Sequence, residues 1–98
     1  MSADNKLLTP EARAAALSVL EGWTLVDGER LQKRFTFADF PGSMAFMVRV
    51  GFEAERLCHH PNWSNVYDRV DVEIWSHDLG GVSALCVELA TAMDRAAG

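Results

Sequence analysis

The hydrophobic period of this chain switches repeatedly between that of a helix and that of a strand. Near the C-terminal end Val82, Leu85, Cys86, Leu89 and Met93 recur at i, i+3, i+4, i+7 and i+11, a single stripe at 3.6 residues per turn. Before that stripe the period is two. Val66, Val70, Val72 and Ile74 read as facing inward, and Tyr67, Arg69, Asp71, Glu73 and Trp75 as facing outward. The same alternation runs from Leu31 to Phe37, with Leu31, Phe35 and Phe37 on one side, Gln32, Arg34 and Thr36 on the other, and Lys33 as the exception. The order is helix, two strands, helix, one or two strands, helix. Helices gathered on one face of an antiparallel sheet make a two-layer α+β domain.

Local signals set the boundaries. Residues 1–8 read as a flexible arm. Thr9-Pro10-Glu11 opens a helix with a hydroxyl at the N-cap, proline at the first position and an acid in the first turn, and Gly22 stops it. Trp23 to Val26 reads as a short strand, and Asp27-Gly28 as a hairpin turn, because both residues tolerate positive φ. Asp39-Phe40-Pro41 breaks the second strand, and a helix is expected from Ser43 to about Cys58. That helix is apolar on two sides, with Met44, Met47, Val48 and Gly51 on one and Phe46, Val50, Ala54 and Leu57 on the other. Two apolar sides require two apolar neighbours, the sheet and either another helix or another subunit. Pro61 ends the helical region, and Gly80-Gly81 makes a turn before the last helix.

A length of 98 residues supports one domain spanning 1–98. A net charge of −5 without a basic run argues against direct nucleic-acid or anionic-membrane binding. No apolar run is long enough to span a bilayer. No signal peptide is evident, and the two cysteines, Cys58 and Cys86, lack CxxC spacing. A cytoplasmic location with reduced, buried thiols is therefore expected.

The chemistry concentrates in the three histidines, His59-His60-Pro61 and His77. Imidazole exchanges protons near neutrality. A helix end and a strand end meeting at one edge of the sheet can bring the rings together, and Glu55, one turn before His59, can touch it. Three readings are open: acid–base catalysis, an open three-histidine metal site, and three separate structural histidines.

The run Glu55-Arg56-Leu57-Cys58-His59-His60-Pro61-Asn62-Trp63-Ser64-Asn65-Val66-Tyr67, followed by Ser76-His77-Asp78 and Gly80-Gly81-Val82-Ser83, resembles the pterin-4a-carbinolamine dehydratases. Gly22-Trp23 and Phe35-Thr36-Phe37-Ala38-Asp39-Phe40 extend the likeness over most of the chain. The resemblance implies a four-stranded antiparallel sheet with three helices on one face (α-ββ-α-ββ-α), assembled as a homodimer or homotetramer. It implies dehydration of 4a-hydroxytetrahydropterin, in tetrahydrobiopterin recycling, without metal or cofactor. His59, His60 and His77 would be the catalytic set, with His60 the most critical. Glu55, Cys58, Trp63, Ser76 and Asp78 would bind the pterin, with Trp23 nearby. Some members of the family also serve as dimerisation partners of a transcription factor, which leaves a binding module as the alternative. Four positions depart from the family: Cys58 stands where Asp or Asn is frequent, Cys86 where many members have Asp, Trp75 in place of a smaller residue, and Ser76 in place of Thr.

Overall fold

A computed structural model describes residues 5–98. Among the described residues three helices and four strands follow the order α-ββ-α-ββ-α: α1 (Pro10–Val19), β1 (Thr24–Val26), β2 (Arg30–Thr36), α2 (Phe40–Leu57), β3 (Asn62–Val66), β4 (Arg69–Ile74) and α3 (Ala84–Ala97). The strands form one antiparallel sheet in the order β1-β2-β4-β3. Its central strands bury Leu31, Phe35, Val70, Val72 and Ile74 against Phe46, Val50 and Ala54 of α2 and Cys86, Leu89, Ala90 and Met93 of α3. The other face is polar, with Arg34 paired to Asp71 at 2.7 Å and Gln32 donating to Glu73 at 2.9 Å. No helix among the described residues is long and apolar enough to cross a membrane.

Turn chemistry follows the side chains. The Thr9 hydroxyl accepts from the Ala12 N–H at 3.1 Å, which caps α1. Asp27 and Gly28 both take positive φ, 54° and 69°, the combination a tight hairpin demands. The helix α2 starts three residues before the expected Ser43. Asp39 caps it by accepting from the Gly42 N–H at 2.8 Å, and Pro41 fits the first turn, where its missing N–H costs nothing.

Lys33 breaks the alternation for a reason. Its ammonium lies 2.9 Å from Asp94 of α3, donates to the Glu21 carbonyl at 2.8 Å and sits over the Phe35 ring at 4.7 Å. A half-buried cation inside the inner face is thus fully partnered.

Two expectations about the backbone need correction, besides the expected burial of Cys58, which is exposed while Cys86 is buried. Val66 does not face inward and is 56% exposed. The two-residue turn at Tyr67-Asp68 reverses the chain and pairs Val66 with Arg69, whose outward face it shares, while Trp63 and Asn65 pair with Val72 and Val70. The second correction concerns the arm. Residues 1–4 lie outside the described residues, but residues 5–8 are not loose. Leu8 N–H donates to the Val82 carbonyl at 2.9 Å, Ala84 N–H to the Lys6 carbonyl at 3.2 Å, and Leu85 N–H to Asn5 Oδ1 at 3.1 Å. A helix start leaves N–H groups without intrahelical partners, and this segment supplies two of them.

Candidate active site

The last turn of α2 aims the histidines. Cys58 adopts the left-handed conformation, φ 50° and ψ 40°. Cys58 N–H donates to the Glu55 carbonyl at 3.1 Å and His59 N–H to the Ala54 carbonyl at 3.0 Å, the bond pair of a Schellman helix end. That reversal turns His59 into the molecule, 9% exposed, and leaves His60 on the surface. His77 arrives from the other side, in the loop after β4. The loop is closed by Ser76 N–H to the Gly81 carbonyl at 2.8 Å and Leu79 N–H to Ser76 Oγ at 3.2 Å.

Cys58, His59, His60, Ser76, His77 and Asp78 border one cavity of about 230 Å³, completed by Asn5, Trp75 and Leu85. A larger hollow of about 700 Å³ lies over the polar face of the sheet. It holds no histidine, and its charged groups are already paired: Arg34 with Asp71, Glu73 with Arg30 and Lys33 with Asp94. The smaller cavity is the one that gathers the histidines.

Each ring has its own partner. His60 Nε2 is 2.9 Å from Glu55 Oε1; an ionised carboxylate can only accept, so that nitrogen carries the proton. The Asn62 amide NH₂ donates to His77 Nε2 at 3.2 Å, which puts the ring proton on Nδ1. His77 also lies against Trp75, ring centres 4.5 Å apart. His59 Nε2 meets the sulfur of Cys86 at 3.1 Å. Burial, reinforced by His60 and His77, lowers the His59 pKa below the usual imidazole value, and burial raises that of the Cys86 thiol. Both groups are therefore uncharged at neutral pH.

Of the residues expected from sequence, Cys58, His59, His60, Ser76, His77 and Asp78 come together, and Glu55 joins through His60. Besides Glu55, which touches His60 without lining the cavity, two do not border it. Trp63 sits half-buried on the inner face of β3 against the core, because its pairing with Val72 fixes its side. Trp23 is buried beside Phe35 and donates through Nε1 to Asp94 at 3.0 Å. Asp94 is eight residues beyond Cys86, about 12 Å along α3. The aromatic wall is Trp75. Sequence reasoning gave no site role to Asn5, Asn62, Trp75, Leu85 or Cys86. Cys86 lies on an apolar helical stripe and reads there as one more small core residue. Among the described residues no group of three or more His, Cys, Asp or Glu is arranged to hold a metal ion: the Nε2 atoms of His59, His60 and His77 turn to three different partners.

The fold is a two-layer α+β domain with three histidines bordering one small cavity at the edge of the sheet. The chain belongs to the pterin 4 alpha carbinolamine dehydratase family, whose model matches residues 6–96. It is 50% identical over 91 residues to a relative from Bradyrhizobium sp. (strain ORS 278), covering 92% of this chain and 91% of that one. It is 48% identical over 88 residues to one from Synechococcus sp. (strain WH7803), covering 89% and 94%. Both carry the name of a pterin-4-alpha-carbinolamine dehydratase. A crystal structure described as a transcriptional coactivator/pterin dehydratase from Brucella melitensis superposes with a TM-score of 0.91 at 39% identity, covering 95% of this chain and 100% of that one.

Proposed function

We propose that this protein dehydrates 4a-hydroxytetrahydropterins to quinonoid dihydropterin and water by histidine acid–base catalysis, in the recycling of tetrahydrobiopterin in the cytoplasm. The observation that carries the reading is the convergence of His59, His60 and His77 on one cavity walled by Trp75. The carbon–oxygen bond breaks as the hydroxyl takes a proton and leaves as water. The neighbouring nitrogen gives up its proton, and the carbon–nitrogen double bond forms. One imidazole must donate and another accept, each worth roughly 10²–10⁴-fold in rate. His60 is the principal acid–base group, oriented by Glu55. His59 and His77 stand beside it, and Cys58, Ser76 and Asp78 offer polar edges to a flat heterocycle. Decay of 4a-hydroxytetrahydropterin is compared for wild type and His60→Ala. A fall of at least 100-fold is expected, and equal rates would sink the proposal.

The protein acts as a homodimer or homotetramer in this reading. Phe40, Met44, Val48 and Phe52 recur every fourth residue along α2 and all are exposed, Phe52 by 74%. Met44 and Val48 belong to the second apolar side expected from the sequence, Phe40 and Phe52 extend that row at either end, and a second copy of the same helix fits it. Phe52→Glu is expected to lower the mass measured by sedimentation. An unchanged mass rejects this face as the interface. The coactivator description of the Brucella melitensis structure favours a second reading, a non-catalytic binding module. It would prevail if partner binding survived loss of the histidines and no dehydratase activity were found.

A further inference from the structure

His59 is the most enclosed of the three histidines, and among the described residues the one hydrogen-bonding partner of its ring is a thiol. Cys86 has no exposed surface, and its sulfur lies 3.1 Å from His59 Nε2 and 3.4 Å from both the hydroxyl and the N–H of Ser83, which is itself fully buried. Three buried groups thus form a chain from the start of α3 to the cavity wall. Cys86 is the third residue of its helix, where a glutamate would bind back to the cap N–H, and the sulfur takes the Ser83 N–H in its place.

The other titratable groups around His59 are Cys58, His60 and Glu55 from the end of α2, and His77 and Asp78 from the loop after β4. Among the described residues none of their carboxylates forms an ion pair with His59, and Glu55 is turned to His60. We propose that Cys86 is the positioning residue of this site: its thiol, anchored by Ser83, holds His59 in one orientation as an uncharged proton acceptor. This rests on the dehydratase reading for its consequence but not for its existence. A carboxylate at the same position, where many relatives resembling this chain have Asp, would pair with a protonated ring and raise its pKa, whereas the thiol gives the charged ring no such partner. A methyl group would leave the ring free to turn.

The test uses the full chain. Ring NMR titration of the wild-type protein is expected to show His59 gaining its proton below the ordinary imidazole value. In Cys86→Asp the midpoint is expected to rise by about one pH unit or more, and the acidic limb of the kcat/KM profile to rise with it. Cys86→Ala is expected to lower kcat at least tenfold with KM within twofold, and Cys86→Ser, which keeps a hydrogen-bonding atom, to restore most of kcat. A wild-type His59 midpoint at or above about 6.5 overturns the proposal even if no variant folds. So does an unmoved midpoint in Cys86→Asp, or full kcat in Cys86→Ala. The titration needs no substrate, so a failed dehydratase assay rejects the activity and leaves the thiol–imidazole pair standing.

Discussion

Cys58 holds a backbone conformation that suits glycine or asparagine better than cysteine, and it is the residue whose turn aims His59. At φ 50° a Cβ atom costs about 1–2 kcal/mol that glycine avoids. Cys58 is exposed, so trimming it to alanine should change stability by less than about 0.5 kcal/mol. The comparison of Cys58→Gly with Cys58→Ala therefore isolates the backbone. Glycine gives back roughly 0.5–1 kcal/mol through the freedom it gains in the unfolded chain. The net expectation is that Gly is more stable than Ala by about 0.5–1 kcal/mol, or roughly 2–8 °C in Tm for a chain this short. Cys58→Val should lie on the other side of Ala, because a β-branched residue tolerates positive φ worst. Urea and thermal unfolding at one fixed protein concentration measure all three, since self-association would otherwise shift the midpoints. If Gly is no more stable than Ala, or Val matches Ala, the turn stores no strain and the account of how it directs His59 is wrong.

Other outcomes follow from the same geometry. Asp94→Ala removes the acceptor of both Lys33 Nζ (2.9 Å) and Trp23 Nε1 (3.0 Å); a loss of about 2–4 kcal/mol is expected in urea unfolding, with KM unchanged because the cluster lies away from the cavity. The pKa of His59 is lowered on folding, so between that lowered value and about 6.5 the unfolded chain binds more protons than the native one. Stability should therefore fall as pH drops from 7 toward 5, and His59→Gln should remove part of that slope in urea midpoints measured across the window.

The sequence made most of the framework legible, and where it fell short the cause was reciprocal. The stripe from Val82 to Met93 is buried as its spacing requires, and Asp27-Gly28 forms the turn its residues favour. Val66 was misread because alternation was carried through a reversal that flips the face, and nothing local marks Tyr67 as a residue that takes positive φ. Lys33 needed a partner 61 residues away. The histidines and their loop neighbours stood out because their residue types are rare together. Cys86 did not, since a thiol in an apolar stripe is chemically silent until the ring it touches is known. Trp63 turns to the inner face through its pairing with Val72, and Trp75, just past the end of β4, borders the cavity.

The segment at residues 5–8 has a consequence for how the site comes into being. Its bond from Asn5 to Leu85 joins positions 80 residues apart, so closing that loop carries a large entropic cost before any contact returns it. The cavity wall it supplies should therefore be the last to form and the first to open. Hydrogen exchange at the Leu85 amide should run ahead of exchange in β4, reporting brief opening of the cavity while the sheet stays closed.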